Sequence, residues 1–143
     1  MFFTCIHCHK KVSEIALGTK NRNHCSFCLY SKHVDKNIAG DRLSKCFGAM
    51  KPISLTFKKT GVNKFSDKPK SGEIMIVHLC VKCGKININR IAGDDEPKEI
   101  LKVFKKSRSL DLKTRKQLKV NSIKVLNAKD EKELLKQLFG NLL

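Results

Sequence analysis

The chain of 143 residues has no tryptophan and a single tyrosine, Tyr30, so its eight phenylalanines must serve both a core and any stacking surface. Recognition of nucleic acid by base stacking is therefore disfavoured against recognition of backbone and shape. Acidic side chains are also scarce: 13 Asp and Glu stand against 30 Lys and Arg, a formal net charge of +17. No apolar run approaches the roughly 20 residues that cross a bilayer. The apolar start of "MFFTCIHCHKKV" is too short for a secretory signal, so the expectation is a soluble, cytoplasmic protein. At this length a large buried core is excluded, and a small domain with an appended arm is the expected organisation.

What is abundant is positive charge. Residues 1–96 carry 17 basic and 8 acidic side chains and residues 97–143 carry 13 and 5, so both parts are basic on their own, at +9 and +8. Such a density repels itself in a compact state unless a polyanion offsets it, which makes phosphate backbone the natural partner. Lysine outnumbers arginine 25 to 5, so a merely solvated lysine surface is the plainer reading of the same charge. An anionic membrane surface is the weaker rival partner.

The seven cysteines, in a chain with no export signal, argue for metal ligation by thiolates rather than disulfides. They fall as Cys5-x-x-Cys8, Cys25-x-x-Cys28, Cys46 alone, and Cys80-x-x-Cys83 followed by Gly84. A C-x-x-C turn gives two thiolates to a tetrahedral Zn(II), and a glycine after it suits a left-handed backbone. Seven ligands are one short of two closed sites, so a histidine must complete the set. His78 is the first choice, because residues 78 and 80 of an extended strand point to one side. His33 is the alternative eighth ligand and His24 the third; the competing reading for each is a histidine that hydrogen-bonds a carbonyl or carboxylate or sits at the surface, and for His7 and His9 that reading is the expected one. The spacing from Cys8 to Cys25 makes Cys5, Cys8, Cys25 and Cys28 the simplest first site, leaving Cys46, His78, Cys80 and Cys83 as the second. A crossed pairing of the first knuckle with the last stays open, as does iron in place of zinc. Seven thiolates remove seven positive charges and two Zn(II) restore four, leaving +14.

Residues 1–96 hold every Cys and His and seven of the eight glycines. Short apolar runs predict strands at "MFFT", "PISLTF" (52–57) and "IMIVHL" (74–79), with "KKTGVNKFSDKPKSGE" (58–73) as a long exposed connection. At "GDDEPKEILKVFKKS" the pattern turns helical, with acids before Pro97 and Ile100, Leu101 and Phe104 on one face. "SLDLKTRKQLKV" and "NAKDEKELLKQLFGNLL" also predict helices, and "SIKVL" a short strand or linking turn. The fold class expected is α+β: a small zinc-ribbon-like β domain over 1–96 with two zinc sites, and a basic helical extension over 97–143.

"RNHCSFCLYSKHVD", "AGDRLSKCFGAMKP" and "GEIMIVHLCVKCGKININRIAGDD", in that order, resemble the RNHCP domain, a small bacterial family. The resemblance covers about residues 3–96 and implies zinc binding, without implying a particular activity. Ser26 stands where the family name has proline; the position is inside the knuckle and is not a ligand, so the thiolates are retained.

The leading functional expectation is a zinc-stapled RNA-binding protein, ribosomal or ribosome-associated, contacting rRNA phosphates and possessing no enzymatic activity. Candidate contacts in the cysteine-bearing part are Arg22, Lys32, Arg42, Lys58, Lys59, Lys64, Lys85 and Arg90. In the helical part they are Lys105, Lys106, Arg108 and Arg115. For the arginines near the knuckles the competing expectation is pairing with Asp35, Asp41, Asp94 or Asp95 to brace the zinc loops. Two alternatives are weaker. His24, His33 and Asp35 invite comparison with HNH-type nucleases, for which no ββα unit is evident. A DNA-binding regulator reading through the terminal helices lacks the arginines and the turn glycine of a helix-turn-helix.

Overall fold

A computed structural model of the chain describes residues 2–16, 22, 24–37, 41–58 and 72–140. Its organising elements are hairpins whose tips are C-x-x-C turns. Strands β1 (Phe2–Thr4) and β2 (Lys11–Ser13) flank the first knuckle and pair antiparallel. The second knuckle lies between His24 and β3 (Ser31–Lys32), with His24 bridging Ser31. The third joins β5 (Ile74–Cys80) to β6 (Ile86–Arg90). Strand β4 (Ala49–Phe57) lies between β3 and β5, giving a four-stranded antiparallel sheet in the order β3-β4-β5-β6. The fold is α+β and zinc-ribbon-like, as the sequence predicts.

Pro52 sits within β4 although proline cannot donate to a ladder. β3 pairs with Ala49 and Met50, so beyond Met50 that edge of β4 has no strand partner among the described residues and the missing N–H costs nothing there. A bulge between Pro52 and Ser54 shifts the register by one residue. It turns Ile53 to one face of the sheet and Leu55 to the other.

Both faces are covered by the helical segment. Helix α1 (Pro97–Lys106) begins with proline in its first turn and is capped by the Glu96 carboxylate. Its Ile100, Val103 and Phe104 pack on Leu55, Ile74 and Ile76, together with Leu29, Leu126 and Leu134. Leu134 comes from α3 (Glu131–Phe139) and lies on the same face. Helix α2 (Leu112–Val120) covers the opposite face, where Leu118 and Ile123 pack on Ile53 and Val77. The "SIKVL" segment is neither strand nor free linker: the Leu126 N–H donates to the Leu55 carbonyl and the Thr56 hydroxyl to the Lys124 carbonyl, which covers the open edge of β4. Gln137 of α3 binds the start of β5, accepting from Ile74 N–H and donating to the Gly72 carbonyl.

The segment 97–140 is therefore no free arm. The expected change at Glu96 is a change of element type within one core: the strands alone leave Ile74, Ile76 and Leu55 uncovered, and α1 and α3 supply the missing layer. Most of the connection 58–73, including Lys59 and Lys64, lies outside the described residues. Truncating the buried Phe104 to alanine is expected to cost about 3–5 kcal/mol. Chemical denaturation should show this loss in the unfolding of the β part as well as the helices; an unchanged midpoint for the β part would contradict a shared core.

Candidate metal centres

The three knuckles repeat one set of backbone hydrogen bonds. The first cysteine donates its N–H to the carbonyl five residues on (Cys5 to Lys10, Cys25 to Tyr30, Cys80 to Lys85). Its own carbonyl receives the N–H four residues on (His9, Leu29, Gly84). This geometry puts the residue after the second cysteine in the left-handed region, at φ 64° for His9, 66° for Leu29 and 80° for Gly84. Phe47, after the lone Cys46, takes φ 57°. Only Gly84 does so without the steric penalty of a Cβ. The next residue after Phe47, Gly48, is needed for a different reason: a Cβ there would lie 2.6 Å from Lys82 Cβ and 2.9 Å from Cys80 Sγ.

Two groups of four ligand atoms result, each with all members within 4.8 Å of one another. The first is Cys5, Cys8, Cys25 and Cys28, the pairing favoured by the spacing. Cys5 Sγ is 3.6 Å from Cys28 Sγ, and Cys8 Sγ is 3.6 Å from Cys25 Sγ. The second is His33, Cys46, Cys80 and Cys83, with Cys46 Sγ 3.7 Å from Cys80 Sγ and Cys83 Sγ 3.4 Å from His33 Nδ1. Thiolates bound to a tetrahedral ion at about 2.3 Å stand about 3.8 Å apart. The observed separations match that figure and are far from the about 2.05 Å of a disulfide. Backbone N–H groups of His7, Cys8 and Phe27 point at the sulfurs of the first group and that of Cys83 at Cys80, as a negatively charged cluster requires.

Electrostatics divide the thiols. Burial pushes Cys25 and Cys28 up, more than the backbone donors of Cys28 and Tyr30 pull them down. Burial also opposes ionisation of Cys8, but the backbone donor at Lys10 and the neighbouring thiols outweigh it and hold Cys8 below the ordinary range. In the second group Cys80 is likewise lowered: burial works against its ionisation, while the backbone donors of Cys83 and Lys82 prevail. Cys83 is raised although the Lys85 backbone donor favours its thiolate, because partial burial and the sulfurs of Cys80 and Cys46 work against it. Four close sulfurs in the first group, or three beside an imidazole in the second, cannot all be thiolates without a counter-charge; a dication at the centre removes that conflict, so both groups fit a metal ion.

The structure brings His33, and not the expected His78, to the second group. His33 continues β3: its N–H donates to the Gly48 carbonyl and its carbonyl receives the Phe47 N–H, which sets it beside Cys46. His78 is buried with both ring nitrogens engaged. Nε2 lies 2.7 Å from the Leu29 carbonyl, which can only accept, so Nε2 carries the proton; Nδ1 then accepts from the Asn89 amide at 2.9 Å. Burial, with the nearby His24 ring as a smaller cause, lowers the pKa of His78 to about 3, so the ring is neutral. It braces the third hairpin against the second knuckle. His7, expected at the surface, is exposed and stacks on Tyr30 at 3.6 Å.

The "RNHC" stretch serves a second structural purpose. Arg22 is buried and donates through Nε to the His24 carbonyl (3.0 Å), and its guanidinium meets Asp94 at 2.8 Å and Asp95 at 3.3 Å. His24 Nε2 is 2.6 Å from Asp95 Oδ2, which also accepts the Ala92 N–H at 2.7 Å. The Arg22 hydrogen bond and charge hold the Asp94 carboxyl below the usual range. Glu96 N–H donates to the Ser26 carbonyl. The second knuckle is thus clamped to the turn before α1, and Asp94 and Asp95 act there as partners of Arg22, while Glu96 does the capping.

Residues 1–101 match the RNHCP domain. The chain belongs to the RNHCP domain family. The match ends one turn into α1, so α2 and α3 lie beyond it; curated proteins and solved structures gave no match.

The expected phosphate contacts divide within this RNHCP protein. Arg22 is removed from them by burial, since a guanidinium enclosed by two carboxylates reaches no solvent phosphate. Arg42 is half exposed and donates Nη2 to the Arg22 carbonyl at 3.2 Å, with Nε 4.0 Å from Asp35. Lys58 and Arg90 share Glu73, at 3.8 and 3.4 Å. Lys32 is exposed with its ammonium 5.3 Å from the Phe47 ring centroid. Lys85 is half-buried; Lys105 and Lys106 are exposed in the last turn of α1. Arg108 lies over Phe104, and Arg115 Nη2 donates to the Arg108 carbonyl at 2.8 Å. Sequence reasoning gave Ser44, whose hydroxyl accepts from Cys46 N–H, and Asn89 no part, because nothing in a lone Ser or Asn marks the strand register that brings it to the site.

Metal analysis is expected to give two ions per chain for the wild type and one for His33→Ala. His78→Ala should keep two while losing about 1–3 kcal/mol of stability from the unpaired Leu29 carbonyl; loss of a metal from His78→Ala and not from His33→Ala would reverse the assignment. Arg22→Ala strips a buried carboxylate of its partner and should cost about 3–5 kcal/mol, whereas the half-exposed Arg42→Ala should stay within about 0.5 kcal/mol. Urea denaturation of the two variants compares them directly.

Proposed function

We propose that this RNHCP protein is a zinc-stapled RNA-binding protein of the cytoplasm, working as a ribosomal or ribosome-associated protein through rRNA phosphates. Zinc is the metal that best suits sets of four Cys or Cys and His ligands with tetrahedral spacing. The observation that carries the RNA reading is how little of the positive charge is consumed inside the molecule. Among the described residues, ion pairs of lysine and arginine engage only Arg22, Arg42, Lys58, Arg90 and Lys102. The other described lysines and arginines are exposed, apart from the half-buried Lys85, on a frame that two metal ions would stiffen, which suits backbone recognition.

A binding role is favoured over a catalytic one. Each ligand group supplies four protein atoms, and a closed tetrahedron leaves no coordination position for substrate or activated water. The residues that suggested a nuclease are committed elsewhere: His33 to the second group, His24 to Asp95. For a DNA-reading helix-turn-helix, α1 and α2 would have to pack on each other, and they lie on opposite faces of the sheet.

Sucrose-gradient sedimentation of a cell extract at physiological salt tests the reading. The protein is expected to travel with ribosomal subunits and to shift to the top of the gradient after ribonuclease treatment or at high salt. Sedimentation as a free small protein at physiological salt would overturn it.

A further inference from the structure

We infer that the outward face of α2, fixed beside the third cysteine knuckle, is a docking surface for the phosphate backbone of RNA; the inference rests on the RNA-binding reading above. Helix α2, "LKTRKQLKV", has four cations and no acid, whereas α1 contains Glu99 and α3 contains Glu131 and Glu133. Helical periodicity turns Leu118 into the core and Thr114 and Gln117 partly inward. Lys113, Arg115, Lys116 and Lys119 are left exposed on the outer side, and none of them forms an ion pair among the described residues. Lys116 and Lys119 are one turn apart, a spacing at which like charges repel unless something anionic lies across them.

The nearest acid in sequence is already used. Asp111 caps the helix, its carboxylate accepting the Thr114 N–H at 2.7 Å, and the hydrogen bonds from Thr114 hold its pKa below the ordinary range. Arg108 extends the cationic run, held near the helix by the hydrogen bond from Arg115 to its carbonyl. The helix is not free to swing: Gln117 Nε2 donates to the Gly84 carbonyl at 2.6 Å, in the turn that follows Cys83. Lys85 follows directly in the chain. The metal-stapled turn thus sets the angle at which the helix presents its charges.

The outer residues between the cations are Leu112 and Val120, 68% and 84% exposed. They offer no donors or acceptors for base edges, so the face suits a phosphate track and not sequence readout. A-form RNA fits this limit, because its deep major groove excludes a reading helix while its backbone is open to one lying across it.

The test is fluorescence anisotropy with a labelled RNA hairpin of mixed sequence, and with a DNA hairpin of the same sequence, over a range of salt. Lys116→Glu combined with Lys119→Glu is expected to weaken RNA binding about tenfold or more and to flatten the salt slope by about two. Lys132→Glu combined with Lys136→Glu on α3 changes net charge equally and should alter affinity less than about twofold. Equal losses in both double variants would overturn the α2 surface while leaving RNA binding in place. Tighter binding of the DNA hairpin would overturn the assignment to RNA, and a wild-type protein that binds neither hairpin at physiological salt would overturn the RNA-binding reading together with this one.

Discussion

Ligand atoms held within 4.8 Å of one another, four sulfurs in one set and three sulfurs with a His33 nitrogen in the other, are the constraint from which the rest of this structure follows. Without a cation, burial and mutual repulsion keep part of each set protonated; with one, the same closeness becomes four bonds to a common centre. The first set joins parts of the chain that no strand pairing joins among the described residues, and the second reinforces one end of the four-stranded sheet. The first ties the β1–β2 hairpin to the second knuckle, with a small apolar cluster of Val12, Cys5 and Cys25 around it. The second ties the end of β3, the approach to β4 and the β5–β6 turn. A chain of this size gains from such clips what its limited core cannot supply.

Around the clips, polar side chains are spent on bracing. Arg22, His24, Asp94 and Asp95 form a buried network between the second knuckle and the start of α1. His78 links β5 to Leu29 and Asn89. These groups face each other, so they brace the second knuckle against α1 and the third hairpin. The described lysines, by contrast, lie at or near the surface, and only Lys58 and Lys102 of them form ion pairs among the described residues.

Much of the fold was legible. The apolar runs at 52–57 and 74–79 lie within β4 and β5, Pro97 opens α1, and the first ligand set is the one that spacing favoured. The eighth ligand was not legible, because the alternation rule for His78 and Cys80 holds but says nothing of what waits on that face. The Leu29 carbonyl occupies it, a contact between residues 49 apart. The role of 97–140 was misjudged for a similar reason: an amphipathic basic segment looks the same whether it covers its own sheet or awaits a partner.

The sequence by itself determined the cysteine knuckles, the α+β class, the family and the charge, since each is carried by residue type and local spacing. Only the tertiary structure decided which histidine joins the second set, that Arg22 is interior, and that the helices close the core. Those outcomes depend on β3 meeting β4 at Ala49 and Met50 and on a bulge at Pro52. Strand register is a long-range property, and a shift of one residue exchanges every inward side chain for an outward one.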